Sequence, residues 1–278
     1  MKKKVDNKRF NKIISDIKSV KIQGAENVAK AGIEAFLLDS SKKSVKKILA
    51  TRPTEPLLQN AIKQLLKSKN QKLTTKRFLS NLKKSHETIA RQGAKLIKND
   101  MNIYTHCHSS TVIDILKYAK KKQKKDFVVY TTEVEPLLQG RQTAKDLAKS
   151  KIKVIVSPDL AAEQSLKICD LFLFGADAFT KSVTVNKIGT STLVRLAKFH
   201  RIQRYSCGVA LKFTNKVRIE KRSSREVWDE REEKIEVINP AFDKTKMKDI
   251  SGIISEFGIL KPKEFIKRAQ IKFKVSKN

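Results

Sequence analysis

From Met101 onward the chain changes rhythm, and that change limits the folds open to it. Short runs rich in β-branched and aromatic residues, Asn102 to Thr105, Phe127 to Thr132, Ile152 to Val156 and Leu171 to Phe174, alternate with helical stretches near 110–122, 140–149 and 160–168. Such alternation predicts βαβ units and a parallel sheet, because parallel neighbours need a long crossover that a helix supplies. Short connections of this kind demand right-handed crossovers and gather loops at the carboxyl ends of the strands. A ligand site is expected there.

Upstream, the pattern is helical throughout. Ile13, Ile14, Ile17 and Val20 recur at helical spacing, as do Val28, Ala31, Ile33 and Phe36 after Gly24-Ala25. Pro53 predicts a helix start near Thr54, with Leu57, Leu58, Ile62, Leu65 and Leu66 on one face. A long helix over roughly 73–97 turns Phe78, Leu82, Ile89 and Leu96 inward. The expected fold class is therefore α/β: a helical N-terminal domain over 1–98, then a domain over 99–278 with a mainly parallel sheet. The tail predicts one more strand, Ile235 to Ile238, a turn at Pro240 and short helices packed back on the sheet.

Composition narrows the function. No apolar stretch approaches the roughly 20 residues of a membrane span, so no membrane role is expected. Met1-Lys2-Lys3-Lys4 is basic but no apolar run follows it, unlike a secretory signal. The three cysteines, Cys107, Cys169 and Cys207, are odd in number and lack paired metal spacing, which points to free thiols in a cytoplasmic setting. The net charge of +33 attracts polyanions, RNA or a nucleoprotein among them. Its lysines are spread along the whole chain, however, and aromatic residues are 6% with no stacking pattern. Phosphate affinity is the simpler expectation.

Three segments place small or polar residues where a helix opens: Gly24-Ala25, Ser109-Ser110-Thr111 and Asn186-Lys187-Ile188-Gly189-Thr190. Free N–H groups and about half a positive charge suit an anion there, although the same residues cap ordinary helices. In Tyr104-Thr105-His106-Cys107-His108, strand alternation predicts His106 and His108 on one face and Cys107 on the other. No third or fourth ligand has supportive spacing, so no metal is expected. Cys107 precedes a helix start, where the local field favours a thiolate base; the plain alternative is a small buried core residue. Asp177 follows an apolar strand, where partial desolvation raises a carboxyl pKa and keeps it protonated, or where it simply caps a turn. A thiolate and a neutral carboxylic acid at two strand ends make an acid/base pair.

These pieces, in this order, resemble the family that joins translation initiation factor 2B regulatory subunits with ribose-1,5-bisphosphate isomerase and methylthioribose-1-phosphate isomerase. The resemblance covers nearly the whole chain. Ile22-Gln23-Gly24-Ala25 is similar to the first ligand loop, Thr51-Arg52-Pro53-Thr54 to the Arg-Pro-Thr segment, and Thr105 through Ser110 to the cysteine loop. Gly175-Ala176-Asp177 and Val185 through Thr190 are the most specific pair, and Asn239 through Asp243 with Gly258-Ile259 fit the ending. The resemblance implies a Rossmann-like second domain that also carries oligomerisation, as a dimer or hexamer. It implies Cys107 as proton acceptor and Asp177 as proton donor. Gln23, Gly24, Ala25, Arg52, Ser109, Ser110, Asn186, Lys187 and Lys212 would then hold a phosphorylated sugar or nucleotide-like molecule, with no cofactor.

Departures keep two functions open. Gln23 stands where the isomerases carry arginine, which costs roughly 1.5–3 kcal/mol of a charged hydrogen bond. Glu135 reverses a charge in the loop that follows, Val209 replaces a frequent glutamate, and His108 replaces a frequent asparagine. One reading is an aldose–ketose isomerase acting on a phosphorylated pentose. The other is a non-catalytic initiation-factor-2B-like subunit that senses a phosphorylated metabolite and meets a translation factor or RNA through its basic surface.

Overall fold

The computed structural model describes residues 6–230 and 232–273, so the basic Met1-Lys2-Lys3-Lys4 start lies outside the described residues. Five helices come first: α1 (Asn7–Lys18), α2 (Ala25–Leu38), α3 (Lys42–Leu49), α4 (Pro56–Leu66) and α5 (Gln71–Gly93). A single 3-10 turn, Ala94–Leu96, leads into β1 (Met101–His106). Alternation follows as α6 (Ser110–Lys121), β2 (Phe127–Thr132), α7 (Gln139–Ala148), β3 (Lys153–Ser157), α8 (Ala162–Leu166) and β4 (Leu171–Gly175). A small excursion, β5 (Ala178–Phe179) and β6 (Val183–Lys187), precedes α9 (Thr190–Phe199) and β7 (Gln203–Cys207). The chain closes with β8 (Phe242–Lys246), β9 (Gly252–Ser255), β10 (Gly258–Leu260) and α10 (Pro262–Phe273).

The main sheet has the order β10-β9-β7-β4-β1-β2-β3 and is parallel except for β10, which runs antiparallel to β9. Alternate side chains sort its two faces, as a period of two requires. Ile103, Leu171 and Leu173 join a core that continues without a break through Leu58, Phe36 and Ile17 of the helical part. Tyr104, Phe172 and Phe174 point the other way, onto Leu193, Val194, Phe179 and Phe265. The helical region and one face of the sheet thus share a single apolar interior. A second sheet, β5-β6-β8, is antiparallel and carries the segment after β4.

Three expectations need correction. The helix after Pro53 starts at Pro56, with Glu55 as its cap residue. Thr54 is held outside it, its hydroxyl donating to the Arg218 carbonyl and accepting from the Glu220 N–H. The expected strand Ile235 to Ile238 is irregular chain, and Ile235 and Ile238 are exposed. No neighbouring strand offers a ladder to this charged segment; β6 recruits Phe242–Lys246 instead. The tail also ends in one helix of 12 residues rather than several short ones.

Gly140 fixes how closely α7 approaches β2. A Cβ there would sit 1.7 Å from the Thr132 carbonyl oxygen, a backbone atom with no rotamer to relieve it. Gly140→Ala is therefore expected to destabilise the fold by about 1–3 kcal/mol, read as a lower urea midpoint at unchanged slope.

Candidate active site

The cavity forms where the strand order reverses. From β1 the chain moves outward to β2 and β3, then returns to β4 on the other side of β1. Loops leaving two such strands diverge and open a crevice at their carboxyl ends. The register sets His106 beside Phe174, so Cys107 and the Gly175-Ala176-Asp177 turn leave the sheet next to one another. The start of α2, the loop before α4 and the segment near Glu220 close the remaining sides. The result is a cavity of about 170 Å³. It brings together all the sequence-predicted site residues: Gln23, Gly24, Ala25, Arg52, Cys107, Ser109, Ser110, Asp177, Asn186, Lys187 and Lys212.

Cys107 occupies a left-handed backbone conformation, φ +65°, immediately after β1 ends. The strand alternation therefore stops at His106, and the two histidines do not share a face as expected. His106 is buried and donates from Nε2 to the Ile188 carbonyl at 2.9 Å; burial pushes its pKa down to about 4, so the ring is neutral. His108 donates from Nδ1 to Thr143 Oγ1 at 3.1 Å, because the single Thr143 proton goes to the Cys107 carbonyl at 2.8 Å. These bonds hold the Cys107 backbone in place from the β2–α7 side.

The thiol itself points toward Gln139, donating to its Oε1 at 3.5 Å, and Gln139 in turn donates to Gln23 Oε1 at 3.4 Å. Burial pushes the Cys107 pKa up to about 11, against the opposing pull of Lys187. The expectation of a thiolate at rest is thus overturned. Desolvation outweighs the helix field and the nearby cation.

Burial raises the pKa of two carboxyls in the cavity. Asp177 has its pKa raised by burial, and Lys212, Arg52 and Lys187 only partly offset this. Glu55 is pushed up by burial and by Asp177, with Arg52 and Lys212 opposing. Its position follows from the helix start: as the cap residue of α4 it makes no side-chain capping bond, so its carboxyl is free to turn inward. Arg52 Nη2 lies 3.2 Å from Glu55 Oε1, and Arg52 Nε lies 3.0 Å from Glu220 Oε1. The guanidinium is therefore already paired with two carboxylates. Lys187 stands 5.7 Å from the centre of the Phe242 ring, and Lys212 Nζ donates to the Ala176 carbonyl at 2.5 Å.

Of the three helix openings, two face the cavity. Gly24 (φ +81°) turns the chain into α2, and Ser109 caps α6 by accepting from the Val112 N–H at 3.4 Å. The third, at α9, is occupied by the carboxylate of Asp243, whose Oδ2 accepts from the Ser191 N–H at 2.8 Å. Glu135 is exposed and does not line the cavity, so the reversed charge expected from it falls outside the site. Val209 is buried in the core.

Comparison with known proteins now has a geometry to rest on. A model of the initiation factor 2 subunit family matches residues 22–262. The chain belongs to that family. It is 35% identical to the ribose 1,5-bisphosphate isomerase of Thermococcus kodakarensis, covering 92% of each chain. It is also 33% identical to a putative translation initiation factor eIF-2B subunit 2-like protein of Pyrococcus furiosus, covering 90% of this chain and 96% of that one. Among solved structures, translation initiation factor eIF-2B of Pyrococcus horikoshii superposes with a TM-score of 0.83 at 29% identity, covering 93% of this chain and 98% of the other. The 5-methylthioribose 1-phosphate isomerase of the same organism superposes at 0.76 with 23% identity, covering 95% and 87%, which speaks to fold.

Within this initiation factor 2 subunit family fold, the cavity residues that sequence reasoning missed include Glu55, Gln139, Glu220 and Arg222. Glu55 adjoins Arg52-Pro53-Thr54 and was within reach of a local argument. Glu220 lies 168 residues from its partner Arg52 and carried no local signal.

A raised folded-state carboxyl pKa means that stability is greatest at low pH and is lost as pH rises through that value. Asp177→Asn removes the cost of charging a buried carboxyl. Its Tm is expected to exceed wild type by about 2–6 °C at pH 8, with the gap closing toward pH 4. Thermal melts across that range read the difference directly.

Proposed function

We propose that this protein is an aldose–ketose isomerase acting on a phosphorylated pentose, the reaction type named for its ribose 1,5-bisphosphate isomerase relatives. One observation carries the reading: a thiol and a carboxyl whose pKa burial raises sit on the same small cavity, at two paired strand ends, with Lys187 and Lys212 beside them.

The chemistry asks for those groups. A pentose phosphorylated at its anomeric carbon is locked as a ring and needs an acid to open it. Asp177 donates its proton to the ring oxygen as the bond from that oxygen to C1 breaks. The Cys107 thiolate then takes the proton from C2, giving an enol between C1 and C2. The new thiol returns that proton to C1, and the C2 hydroxyl proton reloads Asp177. The ring oxygen ends as a hydroxyl, C2 as a ketone, and both protein groups regain their starting states. Lys187 and the openings of α2 and α6 offer positive potential for the phosphoryl group.

The raised thiol pKa sets a cost. With a value of about 11, about one molecule in a thousand carries thiolate at pH 8. Lys187 is the cation that works against this, so it serves the base as well as the phosphate.

Incubation with ribose 1,5-bisphosphate and with ribose 1-phosphate, followed by detection of the ketose product, tests the reading. Turnover of either is expected, falling about 10²–10⁴-fold in Cys107→Ser and in Asp177→Asn. Tight binding of both with no turnover would instead support a sensor of the eIF-2B-like kind, meeting a translation factor or RNA through its basic surface.

We further propose that the protein is a homo-oligomer. The edge strand β3 leaves Ile155 and Val156 exposed, and Leu160 beyond it is fully exposed. An open apolar strand edge favours a partner surface. Ile155→Lys with Leu160→Lys is expected to lower the mass measured by light scattering in solution; an unchanged mass would count against this edge.

A further inference from the structure

The cations lining the cavity differ in how they are paired. Beside Cys107 and Asp177 stand Lys187 and Lys212, for which no ion pair is found among the described residues. Around Arg52 each charged side chain has an ion-pair partner. Arg52 is held by Glu55 and Glu220, both almost fully buried with it. Arg222 reaches Glu220 at 3.8 Å and also pairs with Glu226. Glu26, which completes the carboxyls of the cavity wall, is paired with Lys30 at 2.6 Å. Gln23 adds no charge there and is tied into the Gln139 amide chain.

A phosphoryl group carries about 1.5 to 2 negative charges near neutral pH. Two unpaired lysines match one such group, not two. A second phosphoryl group near Arg52 would meet the Glu55 and Glu220 carboxylates at the same guanidinium. Glu55 lines the cavity near Arg52 and its Oε2 is buried with no hydrogen-bond partner, whereas Glu220 Oε1, also without a hydrogen bond, is ion-paired with Arg52. A buried acceptor left alone costs about 1–3 kcal/mol, and a ligand hydroxyl would satisfy it.

We propose that Glu55 sets specificity, accepting a hydrogen bond from a sugar hydroxyl at the Arg52 end, so that the site favours a pentose with a single phosphoryl group at the Lys187 end over a pentose bisphosphate. This rests on the isomerase reading of the same cavity and narrows it. Glu55 is absent from the acid/base pair: it selects the substrate by offering an acceptor where a bisphosphate needs a donor. Glu220 supports it by holding the other side of Arg52, so that the guanidinium cannot turn freely toward an anion.

The test measures kcat/KM and Kd for ribose 1-phosphate and for ribose 1,5-bisphosphate, in wild type, Glu55→Gln and Glu220→Gln. Wild type is expected to favour ribose 1-phosphate at least tenfold. Each variant frees one side of Arg52 and is expected to move the ratio toward the bisphosphate by tenfold or more, with the shift in KM rather than kcat. A wild-type preference for the bisphosphate overturns the inference and leaves the isomerase reading intact. An unmoved ratio in both variants overturns it as well. If neither compound turns over but binding keeps the same order, the isomerase reading fails while Glu55 selectivity stands. Should a variant not fold, the wild-type ranking alone decides.

Discussion

Everything in the candidate site depends on the parallel pairing of β1 with β4. Those strands are separated in sequence by two complete helix–strand units, yet their register sets His106 against Phe174. The residue after each strand then turns away from the sheet into the same crevice. A one-residue slip would turn every side chain on β4 to the opposite face, exchanging the Leu171 and Leu173 contacts for those of Phe172 and Phe174. Burial of both faces forbids that slip, so the hydrophobic core is what holds thiol and carboxyl in partnership. The geometry of the site is a by-product of the packing beneath it.

Burial supplies the chemistry as well as the position. Desolvation raises the carboxyls and suits Asp177 to donate a proton at neutral pH. The same desolvation works against the role proposed for Cys107, because a thiol acts as a base only in its charged form. One low-dielectric cavity thus helps the acid and hinders the base. Lys187 is the group that eases this conflict, because it lies near the thiol and near the phosphate that would follow. Arg52 illustrates the opposite outcome: a cation suited to bidentate phosphate binding is compensated by two carboxylates before any ligand arrives.

Family membership and chemical detail sit at different levels here. The chain matches the initiation factor 2 subunit family across residues 22–262. Around Arg52 the positive charge is compensated, because Glu55 and Glu220 both pair with its guanidinium. Relatives bearing isomerase names and relatives bearing initiation-factor names share the scaffold.

Periodicity determined the order of elements as far as β4, because a helix and a strand each demand their own spacing of apolar residues. The helical run to Leu96, the alternation from Met101 and the placing of Cys107, Asp177 and the basic residues near strand ends were all legible in the chain. Tertiary structure decided the rest. The left-handed turn at Cys107, which broke the expected alternation of His106 and His108, is imposed by bonds from Thr143 on another element. The segment Ile235 to Ile238 has strand-like composition, but a strand exists only where a neighbour offers a ladder. The state of the thiol and the pairing of Arg52 depend on which distant groups are brought close and how much water is removed, and neither distance nor dielectric is written in local sequence.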